Sequence, residues 1–210
     1  MKRSSGKVCP QMARRSALQV AGSRAQTLDA AVELASVVGL EGLTIGRLAD
    51  QLDMSKSGLV GRFGSKQRLQ LAALELAADI FRHAVYEPAA ARSPGLERLG
   101  AICDAWIAYL GHPPLPGGCF LTTASVEFDG RPGPVNQAVK DVMNRWLRVL
   151  EREARAAVEN GELAPGTDPE DIAFTINALA VGANCHYQLH RDAHALERAR
   201  RAMALMLSSS

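Results

Sequence analysis

Aromatic residues are scarce in this 210-residue chain, at 5% of the sequence, although apolar residues as a group reach an ordinary 47%. No apolar run approaches the roughly 20 residues that cross a bilayer, so we do not expect a membrane protein. Strand-like alternation, internal repeats and low-complexity tracts are also absent from the sequence. Ala and Leu are abundant, and this bias favours helices, as in an all-α fold.

Cysteine is the next residue type that is sparse. The four cysteines, at positions 9, 103, 119 and 185, form neither close pairs nor a regular spacing. Zinc sites and disulfide frameworks need such spacings. We therefore expect no metal and no cofactor, and a reducing, cytoplasmic setting.

Charge is nearly balanced overall, with a net charge of +2, but it is unevenly distributed. Residues 1–70 contain 11 Lys and Arg against 5 Asp and Glu, whereas residues 71–210 contain 13 against 17. A basic first third favours contact with a polyanion such as DNA. The excess can also come from a tail that happens to be basic. We interpret residues 1–23 as a disordered basic arm, with a cleaved targeting segment or a start at Met12 as alternatives.

From Arg24 the sequence predicts a series of helices. Apolar residues recur at helical spacing until Gly39, which provides a stop. Thr44 is a good N-cap for a short amphipathic helix, and Ser55 for a third helix that ends near Phe63. Two short helices joined by a tight turn predict a helix-turn-helix at residues 44–63. Longer helices follow Ser65, with breaks at runs of Pro and Gly.

The third helix has little apolar bulk. Only Leu59 and Phe63 form a stripe that can hold it against supporting helices. The other face is small, polar or basic, as contact with phosphates and base edges in a major groove requires. Its residues are Lys56, Ser57, Val60 and Gly61, with Arg62 on the flank. The alternative is a short solvated connector between core helices.

Residues 24–70 resemble the N-terminal domain of the TetR family of bacterial transcriptional regulators. The resemblance is dense and is carried by Gly42, Thr44, Ile45, Leu48, Ala49, Met54, Ser55, Lys56, Leu59, Phe63, Ser65, Lys66 and Leu69. Over residues 71–210 it rests only on the number and length of the helices. It implies a helix-turn-helix DNA-binding domain at 24–70 and a helical ligand-binding and dimerisation domain at 71–210.

The resemblance also implies how DNA is bound. A homodimer would place two recognition helices in successive major grooves of a pseudo-palindromic operator on double-stranded DNA. Family analogy gives phosphate contacts to Thr44, Lys56 and Lys66, and base-edge contacts to Ser55, Ser57, Val60 and Gly61. The family usually has aromatic residues at positions 60 and 62. Val60 can instead touch a thymine methyl group, and Arg62 a phosphate or a guanine.

Members of the family usually bind a small molecule within the C-terminal helices and then release DNA, so the resemblance implies a ligand-responsive repressor. Aromatic and polar residues that can line such a pocket are Trp106, Tyr109, Cys119, Phe120, Trp146, Phe174, Asn177, His186 and Tyr187. For each aromatic residue, plain core packing is the alternative. The resemblance also implies a four-helix dimer contact, and the uncharged stretch 172–185 and the apolar positions of 196–207 are consistent with it.

Three other functions remain open at the level of sequence. Cys119 follows a Pro/Gly-rich connection at a helix start, where a thiol has a lowered pKa, and this gives the hypothesis of a redox or electrophile sensor. A buried, inert cysteine is the alternative. A helical thiol enzyme would use Cys119 or Cys185 with a histidine, but no nucleophile motif supports one, so we expect no enzyme. A degenerate helix-turn-helix that no longer binds DNA is the third.

Overall fold

The computed structural model describes residues 10–208, with side chains from Arg24 onward. These residues form nine α-helices and no strand, which confirms the all-α fold. The first three helices and the start of the fourth build the helix-turn-helix domain. The remaining helices build a larger bundle behind it. The helices are α1 (Pro10–Val38), α2 (Ile45–Leu52), α3 (Lys56–Phe63), α4 (Lys66–Phe81), α5 (Leu96–Gly111), α6 (Phe120–Phe128), α7 (Pro134–Glu159), α8 (Pro169–His190) and α9 (His194–Ser208).

The start of α1 differs from the prediction. The apolar pattern placed it at Arg24, whereas the helix begins at Pro10 and so includes most of the segment expected to be a disordered arm. Proline fits the first turn of a helix, and the residues after it contain Ala, Leu, Gln and Arg, which are good helix formers. Residues 1–9 of the predicted arm lie outside the described residues.

The predicted helix ends are confirmed where the sequence carried capping signals. The side chains of Thr44, Ser55 and Ser65 each accept a backbone N–H three residues ahead. Gly39 and Gly64 take positive φ angles of 81° and 78°, which end α1 and α3. These local hydrogen bonds fix the positions of α2 and α3 before any long-range packing is considered.

An aromatic cluster forms the centre of the larger bundle. Phe81, the last residue of α4, packs edge-to-face against Trp106, Tyr109 and Trp146, with ring centroids 4.8–5.6 Å apart. Such arrangements align the positive ring edge with the negative ring face. Both tryptophans of the chain thus lie in this one cluster, where α4, α5 and α7 meet.

After Phe81 the chain continues as a π-helical turn, Arg82–Tyr86, and a 3₁₀ turn, Glu87–Ala89. The regular α-helix therefore ends slightly earlier than the predicted break at "EPAAARSP".

Glu153 of α7 is buried, with 1% of its surface exposed. Its carboxylate pairs with Arg98 at 3.5 Å and Arg152 at 2.5 Å. Two guanidinium groups therefore share one buried carboxylate, which ties α5 to α7.

None of the helices within residues 10–208 is long and apolar enough to cross a membrane.

Candidate DNA-binding interface and ligand cleft

The turn between α2 and α3 is held by backbone geometry. Asp53 takes the left-handed conformation, with φ 50°, and its N–H donates to the carbonyl of Ala49. The Ser55 hydroxyl then accepts the N–H of Gly58 at 3.1 Å. Because both bonds are local, the sequence of the turn determines the angle at which α3 leaves α2.

The two faces of α3 divide as predicted. Leu59 and Phe63 are buried, with 0% and 4% of their surfaces exposed. The opposite side is open to solvent, and a Cβ added at Gly61 would meet no atom within 4 Å. The exposed residues on that side are Ser55, Lys56, Ser57, Val60 and Gly61. A smooth outer face with one lysine at its N-terminal end is a shape that a major groove admits.

Three of the predicted DNA contacts are only half-exposed and already have partners. The guanidinium of Arg62 donates to the hydroxyl of Thr27 on α1 at 2.8 Å. The Lys66 ammonium pairs with Glu41 at 2.6 Å, and this hydrogen bond lowers the pKa of the Glu41 carboxyl below its usual value. Thr44 uses its hydroxyl as the cap of α2. Sequence spacing could not show these partners, because two of them lie on other elements.

Two exposed arginines near this surface were missed. Arg47 lies in the first turn of α2 and Arg68 in the first turn of α4, and neither forms an ion pair with another residue of the range 24–208. Their position, in the first turn of a helix with a predicted N-cap, is the feature of the sequence that could have indicated them as candidate phosphate contacts. They add positive charge to the helices that precede and follow α3, and positive charge attracts the phosphates of a duplex.

The helix-turn-helix is joined to the larger bundle through the loop after α1. Both carboxylate oxygens of Glu127, near the end of α6, accept backbone N–H groups of that loop, from Leu40 at 2.7 Å and from Glu41 at 3.1 Å. The connection before α6 also meets α1, where the N–H of Gly117 donates to the hydroxyl of Ser36 at 3.1 Å. Both ends of α6 therefore hold the same end of α1.

A cleft of about 360 Å³ opens beside the aromatic cluster, between α4, α6 and α7. Its walls are apolar and its rim is charged. The apolar walls include Phe81, Tyr86, Leu121, Val142, Trp146 and Val149, and the charged groups are Glu75, Asp79, Arg82, Arg145 and Arg152. A cleft of this volume with apolar walls can bind a small molecule, and the charged groups at its rim can orient that molecule.

The predicted pocket residues do not all converge on this cleft. Trp146 lines it, and Trp106 and Tyr109 support it through contacts with Phe81. Phe120 is buried elsewhere, beside α1.

The pocket residues predicted on α8 lie away from the cleft. Phe174 is 70% exposed. His186 is also exposed, with its Nε2 3.6 Å from Asp192. Asn177 and Tyr187 are half-buried, and neither lines the cleft. The central part of α8 is uncharged nearly all round, so its sequence did not show which face packs inward.

The expectation of a reactive Cys119 is wrong in its premise. The residue does precede α6, but it is 1% exposed, and burial raises the pKa of its thiol. The Pro/Gly-rich connection before it lies close against α1, where a Cβ at Gly117 would be 1.6 Å from the Ser36 carbonyl oxygen. A raised pKa favours the neutral thiol over the thiolate, which is the nucleophile.

A bundle of helices that carries a capped helix-turn-helix with an exposed, basic second helix defines a DNA-binding protein. The family model described as "Bacterial regulatory proteins, tetR family" matches residues 28–73. The model described as "Tetracyclin repressor-like, C-terminal domain" matches residues 95–203. The chain belongs to the TetR family of DNA-binding transcriptional regulators.

Solved structures share the fold along most of the chain. A TetR transcriptional regulator from Chloroflexus aurantiacus is 25% identical, with a TM-score of 0.83 over 90% of this chain and 96% of that one. SCO4454, a TetR-family regulator from Streptomyces coelicolor, is 21% identical, with a TM-score of 0.74 over 96% of each chain. AibR in complex with isovaleryl coenzyme A and operator DNA is 19% identical, with a TM-score of 0.69 over 87% of this chain and 96% of that one. No curated protein matches the sequence.

Proposed function

We propose that the protein is a homodimeric repressor, acting on DNA in the cytoplasm, that binds a pseudo-palindromic operator through α3 and leaves it when a small molecule occupies the cleft. The observation that carries the proposal is the division of α3 into a buried stripe and an open outer face. A helix whose outward side chains are small or basic can approach base edges closely.

The charges around α3 support DNA as the partner. Lys56 is exposed, and within residues 24–208 it forms no ion pair, so its charge is available to a phosphate. Arg47 and Arg68 extend this basic surface on either side. We assign Ser55, Ser57, Val60 and Gly61 to base edges, and Lys56 with the N-terminal end of α4 at Lys66 to the backbone. Arg62, which is bonded to Thr27, is assigned to holding α3 against α1.

The position of the cleft supports an effect of its occupant on the DNA-binding domain. Leu121 of α6 lines the cleft, and Glu127, six residues along the same helix, holds the loop before α2. The opposite wall belongs to α4, which begins directly after α3. AibR, which has a similar fold, binds both isovaleryl coenzyme A and operator DNA. We infer that a bound molecule shifts α4 and α6 and thereby changes the position of α3.

Helices α8 and α9 are assigned to the dimer contact. Phe174, Leu189 and Leu205 expose 67–76% of their surfaces on these two helices. A shallow groove between them is lined largely by small residues, among them Ala178, Gly182 and Ala202. Large apolar groups that flank a groove of small residues fit a close helix contact with a second copy. A folded monomer at micromolar concentration by light scattering would contradict this assignment.

The direct test is a selection of operator sequences from random DNA with the full chain, followed by a thermal-shift screen for effectors. A two-fold symmetric consensus is expected, because a symmetric dimer binds two half-sites. An effector that raises the melting temperature should also lower the affinity for the selected operator. Failure to enrich any sequence over the input library would overturn the proposal.

A further inference from the structure

The charges at the rim of the cleft are not all compensated. Arg82 pairs with Asp79 at 3.6 Å and also with Glu87. Arg145 of α7 also lines the cleft, is exposed, and forms no ion pair or hydrogen bond with another residue of the range 24–208. A guanidinium group at the edge of an apolar cleft is well placed to receive an anionic group.

A second guanidinium strengthens the positive side of the rim. Arg152 lies seven residues after Arg145 on the same face of α7 and donates to the hydroxyl of Tyr86 at 3.2 Å. Its carboxylate partner, Glu153, is shared with Arg98. Two guanidinium groups therefore share one buried carboxylate, and the charged residues of α7 that line the cleft, Arg145 and Arg152, are both positive.

The wall formed by α4 carries a negative charge. Glu75 of α4 lines the cleft and has no ion-pair partner among the described residues. A carboxylate on this side repels an anionic group, so it favours placement of that group at the α7 wall. The positive α7 wall and the negative α4 wall together determine which side of the cleft an anionic group occupies.

The apolar floor is suited to the remainder of the molecule. Phe81, Leu121 and Val142 are at most 6% exposed, and together they make a dry surface for a hydrocarbon or aromatic body. Trp146, which is 7% exposed, is also part of this apolar wall.

We propose that the cleft binds an apolar molecule with one anionic group, a carboxylate in the simplest case, and that Arg145 receives that group. This inference rests on the proposed effector function, since it specifies the chemical class of the effector. Arg145 is a positioning and specificity residue at the rim, and the apolar floor supplies most of the affinity.

Three probes with the same ten-carbon chain test the proposal: decanoate, decan-1-ol and decylamine, each below its aggregation limit. Binding is followed by tryptophan fluorescence in the absence of DNA. The readout is specific, because the chain has two tryptophans, Trp146 lines the cleft, and Trp106 lies 5.1 Å from it. We expect decanoate to bind about fivefold more tightly than decan-1-ol, as for a partly exposed ion pair, and decylamine to bind most weakly.

The variants then assign the charge to its residue. Arg145→Gln should reduce decanoate binding to the level of decan-1-ol and leave decan-1-ol unchanged, whereas Arg145→Lys should retain most of the preference. Arg148→Gln is the matched control, since Arg148 is exposed one turn away on α7 but lines a different groove. Equal binding of decanoate to wild type and Arg145→Gln, tighter binding of decylamine, or no saturable change with decanoate would overturn the proposal.

Operator release is measured separately, so the two ideas can fail independently. Decanoate that binds through Arg145 but leaves the operator complex intact would support the ligand class and contradict the effector function. If the wild-type protein bound no DNA sequence selectively but bound decanoate through Arg145 in the fluorescence assay, only the DNA-binding proposal would be contradicted.

Discussion

Replacement of Glu127 by Gln tests the contact between the ligand-binding bundle and the DNA-binding domain. The carboxylate accepts two backbone N–H groups, from Leu40 and Glu41. A glutamine can accept one of them through its carbonyl oxygen, but it presents an NH₂ group to the other. A hydrogen bond to a charged acceptor contributes about 1.5–3 kcal/mol. Because Glu127 is half-buried, we take the low end and expect Glu127→Gln to lose about 1–2 kcal/mol of unfolding free energy.

The measurement is urea unfolding followed by circular dichroism, with Glu33→Gln as the matched control. Glu33 is exposed near the C-terminal end of α1, and its side chain has no hydrogen-bond or ion-pair partner among residues 24–208. The control should change the unfolding free energy by less than about 0.5 kcal/mol. If Glu127→Gln were as stable as Glu33→Gln, the two backbone hydrogen bonds would not hold the loop, and the reasoning would be refuted.

A companion change makes the test more specific. Gly39 has a φ of 81°, and a Cβ there would lie 2.6 Å from a carboxylate oxygen of Glu127. Gly39→Ala should therefore cost about 1 kcal/mol through the backbone alone, and should also displace the carboxylate. Since both changes break the same contact, the double variant should lose clearly less than the sum of the two single losses. Additive losses would show that the two sites do not interact.

Other expected outcomes concern the two surfaces of the protein. Lys56→Ala should weaken operator binding for all sequences and reduce the slope of log affinity against log salt by about one. The control Lys140→Ala changes an exposed residue of α7 and should leave the slope unchanged. Gly61→Ala should raise the unfolding free energy by up to about 1 kcal/mol, because the added methyl group is unobstructed and Ala favours helix. The same methyl group should lower operator affinity, because it would meet the base edges in the major groove. Lower stability would contradict the open face of α3. In the Cys9→Ser variant, a thiol reagent at neutral pH should modify exposed Cys185 rapidly. It should modify Cys119 only on unfolding, since Cys119 is buried and burial raises its thiol pKa. Rapid modification of Cys119, detected by mass spectrometry, would restore the sensor hypothesis.

The helix-turn-helix could be predicted from sequence because its determinants are local. Caps at Thr44 and Ser55 and the stop at Gly64 each act within one turn, so residue type and spacing contain the information. Leu59 and Phe63 are also the only bulky apolar residues near their face, which left one way to pack α3. The start of α1 lacked such a signal, because apolar spacing marks a buried face and not the full length of a helix.

The ligand cleft could not be predicted in the same way, because it depends on contacts between distant segments. The aromatic residues predicted to line a pocket include Trp146, which lines the cleft, and Phe174, which is exposed on α8. An uncharged helix gives no indication of which face meets the core and which meets a second chain. Arg145 was not selected, since one arginine on a charged helix resembles its neighbours until its partners are known.

The loop after α1 is where the two walls of the cleft meet the DNA-binding domain. Leu40 donates its N–H to Glu127 of α6, while its carbonyl accepts the side-chain amide of Gln70, from α4, at 2.8 Å. Glu41 repeats the pattern, with its N–H bonded to Glu127 and its carboxylate to Lys66 of α4. A molecule that separates α4 from α6 pulls these two residues in different directions. Because packed elements change between discrete arrangements more readily than they stretch, we expect the loop to follow one helix and release the other, which would reposition α2 and α3 together.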